Sequence, residues 1–245
     1  MNIFKRNPFG HNLFIKKWLI RILGFLSHTR FNRFNKLKIE GSNILRSIPK
    51  NNVLFVSNHQ TYFADASAMI HVFNSSLNMN DNINDTSYLW RLKLNIYFIA
   101  AKETMQSGFF PKILSYAGAI LVQRTWRSKG KKVNRKLNIE DIDNVSKALN
   151  DGWVITFPQG TTTPWSPVRK GTAHIIKNNK PIVVPVVIDG FRKAFDKKGL
   201  IIKNRGVIQS MHIKDPMEID YNNSSIDEIV NKIEFAIEQH YSFKK

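Results

Sequence analysis

The chain has 245 residues, 42% hydrophobic and 22% charged, which excludes a disordered polypeptide and suffices for one large domain with its own core. It contains no cysteine, which excludes disulfides, thiolate metal sites and a cysteine nucleophile. Lys and Arg number 37 against 18 Asp and Glu, a formal charge of +19 that implies an anionic partner: nucleic acid, anionic lipid or phosphorylated ligands.

The first fifty residues carry eleven Lys or Arg and a single acid, Glu40. Within them, HNLFIKKWLIRILGFLSHTRFNRF places Ile15, Trp18, Leu19, Ile22, Leu23 and Leu26 at helical spacing, interrupted by Lys16, Lys17 and Arg21. An amphipathic basic helix with aromatic residues on its apolar side suits a membrane surface. Its longest apolar stretch, 18–26, contains Arg21 and falls short of the about 20 apolar residues that a bilayer span requires. No small-residue cleavage site follows it, so a cleaved signal peptide is not expected. Residues 1–40 are accordingly assigned to a membrane-surface segment and 41–245 to a single domain.

After Pro49 short apolar runs alternate with amphipathic stretches. Strands are predicted at 53–57 (VLFVS), 96–101, 119–123, 153–157, 182–188 and 206–213. Helices are predicted to begin near Ala64, Phe109, Glu140 and Thr172, with a last one from Ser225. That last helix has Glu228 three residues after Ser225, a capping box, and apolar Ile226, Ile229, Val230, Ile233 and Ile237. The alternation predicts an α/β fold with a mixed, largely buried sheet flanked by helices. Residues 74–88 are polar enough to predict a mobile surface loop, and 127–136 a basic one.

Three segments carry chemistry. In the first, NHQTYFAD, His59 leaves the mouth of a strand, where α/β sheets hold ligands, and Asp65 is the only acid between residues 41 and 80. A carboxylate beside an imidazole holds one ring nitrogen protonated and leaves the other to accept a proton. Ser57 lies inside the strand without a Gly-x-Ser-x-Gly turn, so a serine nucleophile is not expected. His71 stands twelve residues from His59, and His11, His28, His174, His212 and His240 are scattered, which predicts no metal site and structural or exposed roles for the histidines. In the second segment, Arg124 follows the strand in GAILVQR, with a planar fork suited to phosphate. In the third, FPQGTTT runs from a strand through Gln159, Gly160 and Thr161, and Arg169-Lys170-Gly171 opens a helix. A glycine turn beside a helix N-terminus and a lysine is the layout of a phosphate or oxyanion cradle.

In this order and spacing the segments resemble the glycerolipid acyltransferase family that includes the 1-acylglycerol-3-phosphate acyltransferases. NHQTYFAD matches its Asn-His…Asp block, GAILVQR its Gly-to-Arg strand, FPQGTTT with RKGTAH its Phe-Pro-Glu-Gly block, and KPIVVPVVI its proline-containing strand. The likeness spans roughly residues 40–215. The family places four residues between His and Asp, whereas Gln60–Ala64 make five here, which predicts a looser turn before the helix. Gln159 stands where the family has Glu, and Thr162 where it has Arg.

The resemblance implies an O-acyltransferase at the cytoplasmic face of a membrane, peripheral or monotopic. His59 would be the general base, oriented by Asp65, with Arg124, Gln159, Gly160, Thr161, Arg169 and Lys170 holding substrate. The donor would be acyl-CoA or an acyl carrier protein, the acceptor lysophosphatidate, and no metal or bound cofactor would be needed. The lost charges at 159 and 162 leave open a different lyso-lipid acceptor, such as an amino-acid-containing lipid. A non-catalytic lipid-binding protein would share the fold. Nucleic acid is not the expected partner, because the basic residues mark no recognition helix or aromatic RNA platform.

Overall fold

The computed structural model of the protein describes residues 5–105, 109–123, 127–128, 131–132 and 139–244. In chain order the elements are α1 (Leu13–Asn32), β1 (Lys36–Glu40), α2 (Ile44–Ser47), β2 (Val53–Ser57), α3 (Ala64–Leu77), a 3-10 turn (Ser87–Trp90), β3 (Asn95–Ala101), α4 (Lys102–Met105), α5 (Phe109–Tyr116) and β4 (Ala119–Val122). They continue with the two-residue strands β5 (Arg127–Ser128) and β6 (Lys131–Lys132), then α6 (Ile139–Asp151), β7 (Gly152–Thr156), α7 (Lys170–Asn179), β8 (Ile182–Asp189), α8 (Phe191–Ala194), β9 (Ile208–Ile213), α9 (Ile226–Ala236) and a closing 3-10 turn (Tyr241–Phe243).

Seven strands form one mixed sheet in the order β1-β9-β8-β2-β7-β3-β4. β8, β2, β7, β3 and β4 run parallel, so their C-terminal ends emerge along one edge. β9 runs antiparallel to β8, and β1 pairs parallel with β9. β2 lies at the centre and every residue of it is buried, which is why VLFVS is a continuous apolar run. Its side chains alternate between the two faces. Val53 and Phe55 join Met69, Phe73, Trp153 and Phe191 beneath α1, α3 and α8. Leu54 and Val56 join Val145, Ala173, Ile176, Ile229 and Ile233 beneath α6, α7 and α9. The capping box of α9 forms as read, with Glu228 N donating to Ser225 Oγ and Ser225 N to the Glu228 carboxylate.

Residues 74–88, expected to be a mobile loop, are instead anchored. α3 continues to Leu77, and Asn74, Ser75 and Ser76 are buried. Their side-chain donors find backbone carbonyls: Asn74 Nδ2 donates to Ile70 O at 2.8 Å, Ser76 Oγ to Ser42 O at 2.6 Å, and Ser75 Oγ to Asn82 O. Ile83 and Tyr88 then enter the core. β1 was not legible, because KLKIE at a sheet edge is only half-buried at alternate positions. The loop expected at 127–136 lies partly outside the described residues; within it β5 and β6 pair antiparallel.

α1 has two faces. Gly24, His28 and Phe31 pack inward with Lys16, which is wholly buried, its Nζ 3.5 Å from Ile96 O and 3.9 Å from the centre of the Tyr97 ring. Burial drives the Lys16 pKa down from its ordinary 10.5 to about 7; Asp151 opposes the shift and Lys17 adds to it. Between these values the unfolded chain holds a proton that the fold has released, so stability rises with pH from about 7 to about 10.5 and is lost on the way back down. Lys16→Met should therefore melt above the wild type by roughly 5 °C near pH 7, with the gap narrowing towards pH 10. A gap independent of pH would show that the buried amine keeps its proton.

Candidate active site

The site begins where β2 ends. Asn58 prolongs the pairing of β2 with β8 through its side chain: Nδ2 donates to Ile188 O and Oδ1 accepts from Ile188 N, both at 2.8 Å. Ser57 is fully buried and donates to Asn58 O, so its hydroxyl is withdrawn from chemistry. With the strand end locked, the chain turns through residues 60–63 into α3.

Asp65, in the first turn of α3, folds back to close that turn. Its carboxylate accepts from Gln60 N at 2.6 Å, from Thr61 N at 3.0 and 3.1 Å, and from Thr61 Oγ1 at 2.7 Å. The same carboxylate lies 2.9 Å from His59 Nδ1. Every other partner of this buried group is a donor, so Nδ1 carries the hydrogen and Nε2 is left as the acceptor. Phe157, following β7, stacks on the imidazole with centroids 4.0 Å apart and planes 19° apart. The turn between His59 and Asp65 leans on a hairpin after α8: Tyr62 N donates to Lys197 O and Phe63 N to Lys198 O. Gly199 in that hairpin has φ +76, and a Cβ there would fall 2.6 Å from Ala64 N and 2.8 Å from Thr61 Oγ1.

His59 lines a cavity of about 220 Å³ at the C-terminal edge of the sheet. Phe98, Ile99 and Ala100 of β3, Val122 of β4, and Phe63 and Ala66 form much of its apolar wall. Gly160 (φ +66), Thr161, Arg169, Gly171 and Thr172 bring the loop after β7 and the start of α7 to the same space. A smaller cavity of about 70 Å³ lies beneath α1, lined by Ile20, Leu23 and Gly24, and shares Tyr62, Phe63, Ala66 and Phe98 with the larger one.

The structure thus gathers His59, Asp65, Gly160, Thr161 and Arg169. It places two other candidates elsewhere. Gln159 is buried behind the loop, its Nε2 donating to Ser166 O at 2.7 Å and Gln239 Oε1 at 3.2 Å. Lys170 lies on the surface, 2.7 Å from Asp227 of α9. Arg124 lies outside the described residues; β4 reaches the cavity at its last residue, Val122, and Gln123 follows it there.

Three participants escaped the sequence reading. Phe157 registered only as a motif letter, although its ring supports the imidazole. His174, expected to be structural or exposed, lines the cavity from α7, one turn beyond Lys170. Arg192 donates to Thr162 O at 2.6 Å and so ties α8 to the cavity loop. His71 does serve structure: it is fully buried between Ser27 Oγ at 2.9 Å and Tyr88 Oη at 2.8 Å, and burial lowers its pKa to about 3. Among the described residues no group of three or more His, Asp or Glu gathers as a metal site would require.

No curated protein sequence gives a significant match to the chain. Among solved structures, the 1-acyl-sn-glycerophosphate (LPA) acyltransferase PlsC from Thermotoga maritima is similar at 19% identity with a TM-score of 0.53, over 93% of this chain and 79% of that one. At this identity the likeness is one of fold: a central sheet flanked by helices. The family model described as Acyltransferase matches residues 36–189, the span from β1 through β8 that holds the His59–Asp65 pair and the glycine loop. The chain belongs to the acyltransferase family.

Proposed function

We propose that the protein transfers a fatty acyl group from an acyl thioester to a lipid hydroxyl, with 1-acylglycerol-3-phosphate as the acceptor and phosphatidate as the product. The observation that carries this reading is the His59 Nδ1 to Asp65 contact of 2.9 Å beside an apolar cavity. His59 Nε2 takes the acceptor hydroxyl proton while the oxygen attacks the thioester carbonyl. The carbon–sulfur bond then breaks, and the departing thiolate takes the proton back from the imidazolium. Asp65 stabilises that imidazolium without itself accepting the proton. No protein nucleophile is needed, in keeping with a chain free of cysteine. The thioester comes from acyl-CoA or an acyl carrier protein, and no metal or bound cofactor enters the steps.

The apolar cavity wall suits an acyl chain. The opening turn of α7, with its N–H groups and the Arg169 side chain, suits the acceptor phosphate or the developing oxyanion. Arg124, two residues past β4, belongs to the same proposal. The fold-level likeness to an LPA acyltransferase supports this acceptor by analogy.

The outer face of α1 is proposed to rest on an anionic membrane surface. Ile15, Trp18, Ile22, Phe25 and Leu26 are all exposed along it, and Trp90 continues the patch, 6.0 Å from the Trp18 ring and 5.8 Å from Phe25. Arg21 lies between the two tryptophans and donates to Leu89 O and Trp90 O. Among the described residues no helix is long and apolar enough to cross a membrane.

His59→Ala should lower turnover on the order of 100- to 10,000-fold with lysophosphatidate binding retained; a variant that still turns over at the wild-type rate removes the base. Asp65→Asn should lower kcat comparably and move the His59 ring hydrogen from Nδ1, as read by nitrogen NMR; an unchanged tautomer would show that the carboxylate does not orient the ring. For the membrane, truncating α1 would open the core at Phe31, so Ile22→Asp with Leu26→Asp is the cleaner variant. It should no longer sediment with anionic vesicles, and sedimentation equal to the wild type would refute this face.

A further inference from the structure

The loop from Phe157 to Arg169 brings Gly160, Thr161 and Arg169 to the cavity wall, yet it belongs to no sheet ladder. Two backbone bonds brace it internally: Gly160 N donates to Phe157 O and Arg169 N to Pro158 O, both at 2.9 Å. Its outer side is held by α9 and the residues just after it. Val168 N donates to Glu234 Oε1 at 2.8 Å, and Trp165 N donates to Gln239 Oε1 at 3.1 Å. Gln239 Oε1 also accepts from Gln159 Nε2 at 3.2 Å, and Gln159, 1% exposed, reaches Ser166 O at 2.7 Å with the same nitrogen. The end of α9 is itself fixed, since Gln239 N donates to Glu234 O at 2.9 Å, and Lys214 Nζ to Ala236 O at 2.9 Å and Glu238 Oε1 at 2.8 Å.

We propose that Gln159, Gln239 and Glu234 are positioning residues that set the cavity wall formed by Gly160, Thr161 and Arg169. This rests on the acyl-transfer reading of the site. It also gives a reason for an amide where the family motif carries a carboxylate. Both contacts of Gln159 Nε2 are donations to oxygens, and an ionised Glu has no hydrogen to donate. A carboxylate at 159 would stand against Ser166 O and Gln239 Oε1 in a buried place, the arrangement buried polar groups tolerate least. The partner at 239 has the opposite requirement. Towards the loop it only accepts; its Nε2 donates away from the loop, to its neighbour Glu238 O at 3.0 Å. A Glu there keeps both loop bonds and gives up only that local one, while a Leu loses all three. The amide at 159 and the oxygen at 239 form a matched pair, and residue 159 acts on the site through the loop without touching the cavity.

The test uses the full chain with palmitoyl-CoA and lysophosphatidate, together with amide hydrogen exchange of the loop. Gln159→Glu, Gln239→Leu and Glu234→Ala should each raise the acceptor KM about tenfold and speed exchange at Trp165 and Val168, with the pH profile of kcat unchanged. Gln239→Glu should remain close to wild type in both readouts. Lys177→Ala, which releases Ser224 O in the C-terminal segment without contacting the loop, should leave the acceptor KM unchanged. Faster exchange with an unaltered KM would overturn the positioning role, as would unaltered exchange or a Gln239→Glu variant as impaired as Gln239→Leu. A wild-type chain that exchanges slowly at these amides but transfers no acyl group would overturn the acyl-transfer reading, and this role with it.

Discussion

The carboxylate of Asp65 organises the structure around it. It is fully buried, where an unpartnered carboxylate would be several kcal/mol too costly to keep. Two backbone amides, the Thr61 hydroxyl and the His59 ring supply its partners. Satisfying that one group closes the turn after β2, starts α3 and orients the imidazole. The backbone donors are as important as the histidine, because they hold the carboxylate in place beside the ring.

The turn could not stand alone. On one side the amides of Tyr62 and Phe63 lean on the hairpin after α8, where Gly199 leaves room for nothing larger. On another, Asn58 ties the strand end to Ile188, and Phe157 stacks against the ring. Parallel strands bring all of these to one edge, so residues far apart in the chain meet at a single cavity. α1 roofs the smaller neighbouring cavity with Ile20, Leu23 and Gly24 and turns its exposed apolar stripe outward. One helix thus joins the outer surface to the interior beside the site.

Much of the central sheet was legible, because buried parallel strands announce themselves as unbroken apolar runs such as VLFVS and IVVPVVI. The dyad was legible as a pairing of residue types in a family pattern. Other features were not. β1 exposes alternate charged side chains and so lacks the apolar run of a central strand. Asn74, Ser75 and Ser76 look like loop residues until their hydrogen-bond partners are known. Lys170 carried the right charge in the right motif, but Asp227 lies 57 residues along the chain and only the packing of α7 on α9 brings it within 2.7 Å.

The amino-acid sequence by itself determined the order of the central strands and the longer helices, the absence of a cysteine nucleophile, and the chemical types available at each strand end, since these depend on local periodicity and composition. Tertiary structure alone decided which types meet. It selected the ring nitrogen of His59 that faces Asp65, moved Gln159 behind the loop, brought His174 to the cavity and buried Lys16 under α1. The physical reason is that burial and hydrogen bonding are properties of neighbours in space, and in a sheet ordered β1-β9-β8-β2-β7-β3-β4 those neighbours come from distant parts of the chain.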